Sequence, residues 1–216
     1  MVNKVKKKKK KIEKIKNFLI KNYKWIALFI CIVSLLFLIE DVMDDDIIAF
    51  DEKGYYIVQK YFISDTITPF AKCITNFANM YWLIGVSIFL IFFLKNKKTG
   101  IYIYLNLILS SLVNFSLKQI IQRPRPVGHR IINENGYSLP SGHSMVSMAF
   151  YGLLIYFIYK NIKNKYIKIV LITLLSILII SIGVSRIYLG VHYTSDVIAG
   201  FLVALSYLII FVHIIK

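Results

Sequence analysis

The residues of this chain best suited to chemistry on phosphate fall in two short stretches. These stretches hold all four arginines and, within or beside them, three of the four histidines: Arg123, Arg125, Arg130, Arg186, His129, His143 and His192. Arginine grips phosphate with a planar, bidentate fork, and histidine moves protons or attacks near neutral pH. Because the surrounding sequence is apolar enough to lie in a membrane, this concentration predicts phosphate chemistry at a bilayer surface.

The first motif is K-x6-R-P, within the sequence KQIIQRPRP that begins at Lys118 and ends at Pro126. Pro124 and Pro126 remove backbone donors and disfavour helix, so the segment is expected to leave the membrane as a stiff, extended turn. That stiffness could hold Arg125 near Lys118. Taken alone, the motif fits a solvated basic loop against lipid headgroups equally well.

The second motif is Pro140-Ser141-Gly142-His143, directly before an apolar stretch. Serine and glycine at a helix start leave backbone N–H groups free to face an anion. Gly142 permits close approach of the backbone to a phosphoryl group, and His143 would lie beside it. The alternative is an ordinary N-cap with an incidental histidine.

The third motif comprises Ser185-Arg186, His192 and Asp196. On a helix, His192 and Asp196 would share a face, four positions apart. A carboxylate bonded to one ring nitrogen fixes the tautomer and makes the other nitrogen a better nucleophile or base. The alternative is a helix-capping aspartate with a surface histidine.

Composition predicts the elements that must position these motifs. The chain has 216 residues, of which 57% are hydrophobic, and a mean hydropathy of +0.65, which is typical of a polytopic membrane protein. Its apolar stretches are near the ~20 residues needed to cross a hydrocarbon core, and spanning segments must be helical. The predicted fold is therefore all-α, a bundle of six transmembrane helices in one domain over 25–216, preceded by a lysine-rich tail over 1–24. The stretches lie at about 25–40, 77–94, 101–117, 144–160, 166–184 and 195–215.

The distribution of charge predicts the orientation in the membrane. The tail, the segments 95–98 and 160–168, and Lys216 hold 19 of the 27 lysines and arginines, so both termini are expected in the cytoplasm and the motifs outside. The positive cluster on the outer side is an exception to this bias, and anion binding would explain it. The lysine tail is interpreted as a disordered segment near anionic lipid, not as a nucleic-acid arm.

The first outer loop is acidic, and no role follows for its segment 41–52. Its section from Tyr55 to Ile63 mixes aromatic, apolar and polar residues and is predicted to form a short interfacial helix.

Together, the three motifs resemble the signatures of the type 2 phosphatidic acid phosphatase superfamily, which also contains vanadium haloperoxidases and the glucose-6-phosphatase catalytic subunits. Every signature position is matched. The motifs cover 118–196, and the six-helix layout extends the resemblance over about 25–216. The resemblance implies hydrolysis of a phosphoester or phosphoanhydride without a metal ion or other cofactor.

The resemblance also implies a role for each signature residue. His192 resembles a nucleophile that forms a phosphohistidine, Asp196 its orienting partner, and His143 the general acid for the leaving oxygen. The phosphate cradle would be formed by Lys118, Arg125, Ser141, the Gly142 backbone and Arg186. The other polar residues, Arg123, His129 and Arg130, are interpreted as loop residues, with contact to a headgroup or a second phosphate as the alternative, and His213 as structural or interfacial.

The predicted function is that of an integral-membrane lipid phosphatase, acting on undecaprenyl diphosphate, phosphatidate, phosphatidylglycerophosphate or a related lipid. A Lys/Ile/Asn-rich composition is typical of an AT-rich genome and suggests a bacterial cytoplasmic membrane. Two alternatives stay open: a sugar-phosphate phosphatase of the glucose-6-phosphatase kind, and a non-enzymatic protein that binds or transports lipid phosphates. The sequence indicates no protein partner.

Overall fold

A computed structural model describes residues 2–44, 48–128 and 130–216, and these residues form eight α-helices with no strand. His129 lies outside the described residues. The helices are α1 (Val2–Met43), α2 (Ile48–Tyr61), α3 (Thr68–Asn76), α4 (Met80–Phe93), α5 (Lys97–Ile121), α6 (Gly142–Asn161), α7 (Lys165–Tyr188) and α8 (Thr194–Ile214).

Five of these helices are long and apolar enough to cross a membrane: Lys16–Met43 within α1, and α5, α6, α7 and α8. The predicted span at 77–94 is not one continuous helix. Helix α4 has 14 residues, and it follows α3 after a break at which the axis bends by 47°. Asn79 causes the new start, because its side chain accepts a hydrogen bond from the Tyr81 N–H as an N-cap. The number of spans is thus five, or six if the bent pair counts as one.

The lysine-rich segment differs from its prediction. Helix α1 runs without interruption from Val2 to Met43, so this segment is helical where its charge predicted a disordered tail. Lysine is a good helix former, and the apolar span that follows supplies a long helix for the segment to extend.

Helix α6 lies at the centre of the bundle, packed against α5, α7 and α8. Its residues Phe150 and Leu153 are fully buried and share a core with Leu107 of α5 and Ile182 of α7. Helix α1 packs on α8, and α4 packs on α5. Many aliphatic and aromatic side chains on the outer faces are exposed, which is expected for helices surrounded by lipid.

The three motifs meet at one end of this bundle. The chain between α5 and α6 is tied to the helix ends around it: Ile131 N–H donates to the Leu189 carbonyl (3.0 Å), and Ser141 N–H donates to the Asp196 carbonyl (3.0 Å). The short interfacial helix predicted at Tyr55–Ile63 corresponds to α2, which begins earlier and covers the same end by packing on α7 and α8.

Candidate active site

Arg125 is buried at the centre of the site and is held by backbone carbonyls. Its Nε donates to Gly136 O (3.0 Å), its Nη2 to Asn135 O (3.0 Å) and its Nη1 to Val191 O (2.9 Å). The same Nη1 lies 3.1 Å from Nε2 of His192. The first and third motifs therefore meet at a direct contact between a guanidinium and an imidazole.

The contacts of His192 determine which ring nitrogen carries the proton. A guanidinium can only donate, so Nε2 accepts from Arg125 and Nδ1 carries the hydrogen. Nδ1 then donates to Oδ2 of Asp196, 3.3 Å away. His192 precedes the first residue of α8, so the pair does not share a helical face as predicted. Instead, Gly190 turns the chain after α7 with a φ of 70°, and His192 meets Asp196 in the first turn of α8.

Burial keeps His192 neutral. The imidazole is almost completely buried, and this burial lowers its pKa to about 4, although the hydrogen bond and charge of Asp196 act in the opposite direction. A neutral ring whose Nε2 lone pair faces cations is the form that can attack phosphorus.

Arg186, near the end of α7, presents a second guanidinium to the same space. Its Nη1 donates to Thr75 Oγ1 of α3 (2.8 Å), and its Nη2 donates to Glu134 Oε1 (2.6 Å). Its Nε is a buried donor without a hydrogen-bond partner among the described residues. An additional acceptor, such as a phosphate oxygen, would satisfy it.

Glu134 occupies the space between the two arginines. Its second oxygen, Oε2, lies 3.9 Å from Arg125 Nη2, and its side chain is 29% exposed. Burial alone would raise the pKa of Glu134, but the charge and hydrogen bond of Arg186 hold it below its usual value. The ionised Glu134 carboxylate therefore occupies the position where the sequence predicted a phosphate.

The start of α6 forms a further wall of the site. Ser141 is the N-cap, and its Oγ accepts from the Ser144 hydroxyl (2.8 Å), while helix geometry leaves the N–H groups of Gly142 and His143 without intrahelical acceptors. His143 lies within electrostatic range of Glu134, His192 and both arginines. A Cβ at residue 142 would lie 3.1 Å from Asn114 Oδ1, so packing against α5 is a second reason for glycine there.

Lys118 joins the site from the end of α5. Its Nζ donates to the Tyr137 carbonyl, and it lies within electrostatic range of Arg125, Arg186 and Glu134. The structure thus brings together all the signature residues predicted from the sequence: Lys118, Arg125, Ser141, Gly142, His143, Arg186, His192 and Asp196.

Arg123 lies within the site, which corrects its interpretation as a polar loop residue. Its side chain is only 12% exposed, it pairs with both Asp196 (2.7 Å) and Asp51 (2.7 Å), and its guanidinium lies over the Tyr193 ring. Asp51 belongs to the acidic segment to which the sequence assigned no role. Sequence reasoning missed four residues of this site: Arg123, Asp51, Thr75 and Glu134.

One of these four residues had a usable signal. In an extended segment, side chains two positions apart face the same side, so Arg123 should lie on the same side as Arg125. The other three contribute one side chain each from distant segments, and nothing local marks them.

Arg130 and His213 make no hydrogen bond or ion pair with the cluster in the part of the chain that the structure describes. Arg130 is exposed, and its Nε donates to the Pro126 carbonyl (2.7 Å). The His213 ring packs edge-on against Trp25 (5.2 Å between centroids), which matches its structural or interfacial interpretation.

A cavity of about 510 Å³ leads to His192 from the side of α1 and α2. Its lining combines apolar residues with Asp51, Glu52, Arg123, His192 and Tyr193, so the cavity reaches the imidazole from the Arg123 side. It lies between the end of α1, helix α2 and the segments 121–128 and 190–193. The cavity gives a bulky group a place next to the imidazole.

The model of the PAP2 superfamily matches residues 99–216, which is more than half of the chain and includes all three motifs. The chain belongs to the PAP2 superfamily. The resemblance predicted from the motifs is therefore confirmed.

Two relatives indicate which PAP2 proteins the chain is similar to. It is 36% identical over 112 residues to phosphatidylglycerophosphatase B of Bacillus subtilis, covering 51% of this chain and 55% of that protein. It is 32% identical over 120 residues to dolichyldiphosphatase 1 of Dictyostelium discoideum, covering 54% and 52%. The chain thus spans about half the length of these relatives.

A solved structure matches over a longer range. The transmembrane PAP2-type phosphatidylglycerolphosphate phosphatase of Bacillus subtilis superposes with a TM-score of 0.79 at 25% identity, covering 89% of this chain and 96% of that one. This PAP2 chain therefore has the fold of a membrane phosphatase, and its apolar helices make it an integral membrane protein.

Proposed function

We propose that this PAP2 protein is a phosphatase that hydrolyses a phosphomonoester or diphosphate of a membrane lipid through a phosphohistidine intermediate. The observation that carries the proposal is the position of the Glu134 carboxylate. It lies between Arg125 and Arg186, and Arg125 also contacts Nε2 of the neutral His192. A site that already holds one oxyanion there can hold a phosphate in its place.

The reaction would proceed in two displacements. The Nε2 lone pair of His192 is released from its hydrogen bond with Arg125 and attacks phosphorus, a P–N bond forms, and the P–O bond to the lipid breaks on the opposite side. His143 gives its proton to the departing oxygen. Water then attacks the phosphohistidine, His143 takes a proton from it, and the P–N bond breaks to release inorganic phosphate.

The cradle supplies the charge that this reaction requires. Two guanidinium groups, the ammonium of Lys118, the Ser141 hydroxyl and the free N–H groups at the start of α6 would bind the non-bridging oxygens, whose charge they stabilise in the transition state. Arg186 Nε offers a donor that still lacks a partner.

The pairing of the nearby carboxylates supports a mechanism without a metal ion. Asp51 and Asp196 are each bound to Arg123 and are almost completely buried. A divalent cation is held by carboxylates free to coordinate it, whereas these two are committed to the Arg123 guanidinium.

A lipid is the substrate class that best fits the surroundings of the site. The cavity beside His192 is bounded by the end of membrane helix α1 and by α2, so a leaving group attached to acyl or prenyl chains could occupy it. The relatives named for phosphatidylglycerophosphate and dolichyl diphosphate support both monoester and diphosphate substrates. The charge bias further supports cytoplasmic termini and an extracytoplasmic site, and the Lys/Ile/Asn-rich composition supports a bacterial membrane.

The proposal is tested by phosphate release in detergent with EDTA, on a panel of lipid mono- and diphosphates. We expect activity in the wild type and none in His192→Ala, together with an acid-labile, base-stable phosphoenzyme from labelled substrate in the wild type only. His213→Ala is the matched control, because that histidine lies on α8 but packs on Trp25, and it should retain activity.

Activity that survives in His192→Ala, or that EDTA removes, would contradict the mechanism. Wild-type binding of lipid phosphate with no turnover on the whole panel would favour the non-enzymatic alternative. Turnover of sugar phosphates alone would favour the glucose-6-phosphatase kind.

The orientation has its own test. In a background without Cys31 and Cys73, Asn133→Cys places a thiol on an exposed position of the loop between α5 and α6. A membrane-impermeant reagent should label it in intact cells. Labelling only after permeabilisation would reverse the orientation.

A further inference from the structure

Arg123 bridges two buried carboxylates from distant parts of the chain. Its Nη1 lies 2.7 Å from Oδ1 of Asp196, whose other oxygen, Oδ2, faces His192. Its Nη2 lies 2.7 Å from Oδ2 of Asp51, on α2. The Asp196 side chain is completely buried and that of Asp51 is 1% exposed, so neither has water as a substitute partner.

Ser195 closes the bridge into a ring. Its backbone N–H donates to Asp51 Oδ1 (2.8 Å), and its hydroxyl donates to Asp51 Oδ2 (2.7 Å) while accepting from Arg123 Nη1 (2.8 Å). Asp51 therefore fixes both the guanidinium and the first turn of α8, the turn that contains Asp196.

Helix α2 is seated closely enough for this ring to be well defined. A Cβ added at Gly54 would lie 2.1 Å from Thr194 Oγ1, at the first residue of α8. A side chain at residue 54 would force the Thr194 hydroxyl to move, and the close approach of the two helices brings Asp51, one turn earlier on α2, against Ser195.

We infer that Arg123 is a positioning residue for His192, acting through Asp196, and that Asp51 of α2 anchors Arg123 in place. The inference rests on the proposed function. Neither residue is a specified position of the signature motifs: Arg123 falls on a variable position of the first motif, and Asp51 lies outside all three. In this arrangement, one oxygen of Asp196 orients the imidazole. The other oxygen binds the Arg123 guanidinium, which is in turn bound by Asp51.

The bridge also sets the charge that His192 experiences. The charged or titratable groups facing this ring are Asp196 of α8, Arg125 of the α5–α6 segment, Arg186 of α7 and His143 of α6. Burial alone would lower the pKa of Arg123, but Asp196 and Asp51 raise it, so it remains a full cation beside Asp196. Without Arg123, the Asp196 charge is less compensated and the pKa of His192 rises.

The experiment measures kcat, KM and the pH profile of kcat/KM for the full-length protein in detergent. Arg123→Gln is expected to lower kcat about 10²-fold by misplacing the imidazole, with KM changed less than about threefold. The acid limb of kcat/KM should move to higher pH by about one pH unit. Arg123→Lys restores the positive charge but not the bidentate geometry of the guanidinium. The acid limb of kcat/KM should therefore return to its wild-type pH, while kcat recovers only in part.

Asp51→Asn removes the anchor and keeps the cation. We expect kcat to fall about 10-fold, with the acid limb unchanged. Arg130→Gln and Asp65→Asn are the matched controls, because both residues are exposed and outside the ring, and both should behave as wild type. Inhibition by inorganic phosphate reports the cradle, and its inhibition constant should stay within about threefold in every variant.

The inference is overturned if Arg123→Gln has wild-type kcat. It is equally overturned if kcat falls while the acid limb stays in place and phosphate inhibition weakens in parallel, since that combination indicates general loss of structure. His192→Ala in the same assay separates the two proposals: activity in that variant overturns the proposed function, whereas its inactivity beside a wild-type Arg123→Gln overturns this inference alone.

Discussion

The two sides of His192 are built differently. On the Nδ1 side, Asp196, Arg123, Ser195 and Asp51 form a closed network in which every charge has a buried partner. On the Nε2 side, Arg125 and Arg186 face a carboxylate that is partly exposed, and one buried donor has no partner among the described residues. The difference fits a rigid support on one side of the proposed nucleophile and an exchangeable anion on the other.

The largest effect is expected on the closed side. Asp196→Asn removes the charge that fixes the Nδ1–H tautomer and leaves Arg123 without one of its two carboxylates. We expect kcat to fall about 10⁴-fold, because the wrong tautomer of His192 cannot attack phosphorus. The KM for lipid phosphate should change little, because the phosphate cradle stays intact. Steady-state kinetics of purified protein would measure it. A loss confined to KM would mean that Asp196 belongs to substrate binding, and the contrast between the two sides would fail.

The next effect lies on the open side. Arg186→Lys keeps a positive charge but cannot donate to Thr75, Glu134 and a phosphate in one plane. We expect kcat/KM to fall about 10²- to 10³-fold. Inorganic phosphate should inhibit the variant less, as measured by competition. Arg130→Lys serves as the control. Unchanged phosphate inhibition in Arg186→Lys would exclude Arg186 from the cradle.

The pH profile examines the nucleophile between the two sides. The pKa of His192, lowered to about 4 mainly by burial, predicts that the ring stays neutral down to that pH. Protonation occupies the Nε2 lone pair, so kcat/KM should fall about tenfold per pH unit as pH drops below about 4. Rates must be expressed per substrate dianion, since phosphate itself titrates near pH 6. If the acid limb of kcat/KM lies near pH 6.5 after this correction, the His192 ring is solvated.

The smallest effect distinguishes exchangeable from fixed anions. Glu134→Gln removes the charge that competes with phosphate for both arginines and keeps the side-chain shape. Because the carboxylate is partly exposed, we expect phosphate inhibition to tighten only severalfold, about three- to tenfold. The neighbouring change Asn133→Gln should do nothing. Weaker inhibition in Glu134→Gln would show that Glu134 supports the cradle and does not occupy it.

The sequence predicted the cradle side better than the closed side. Lys118, Arg125, His143 and Arg186 belong to three short motifs that, taken together, indicate phosphate chemistry. Asp51 and Thr75 contribute single side chains from helices whose docking depends on packing over the whole bundle. Only Arg123, two residues before Arg125 in an extended segment, carried a local sign of its position.

The helices follow the same division. Long apolar stretches predicted α1 and α5–α8, because lipid leaves the backbone no alternative to helix. The break between α3 and α4 depends on the cap at Asn79, a polar residue inside an apolar stretch, and hydropathy averages over it. That break matters to the site, because α3 is the helix that carries Thr75 to Arg186.

The anchoring of Arg125 by main-chain carbonyls has a consequence for variation in this protein. Exchange of the Asn135 or Val191 side chain would leave in place the main-chain oxygen that binds the guanidinium, whereas Gly136 has a φ of 75°, which favours glycine. An insertion or deletion between 126 and 135 would instead shift two acceptors out of reach at once. The geometry around Arg125 thus depends more on the length of the connecting segment than on its side chains. It tolerates a point substitution far better than an insertion or deletion.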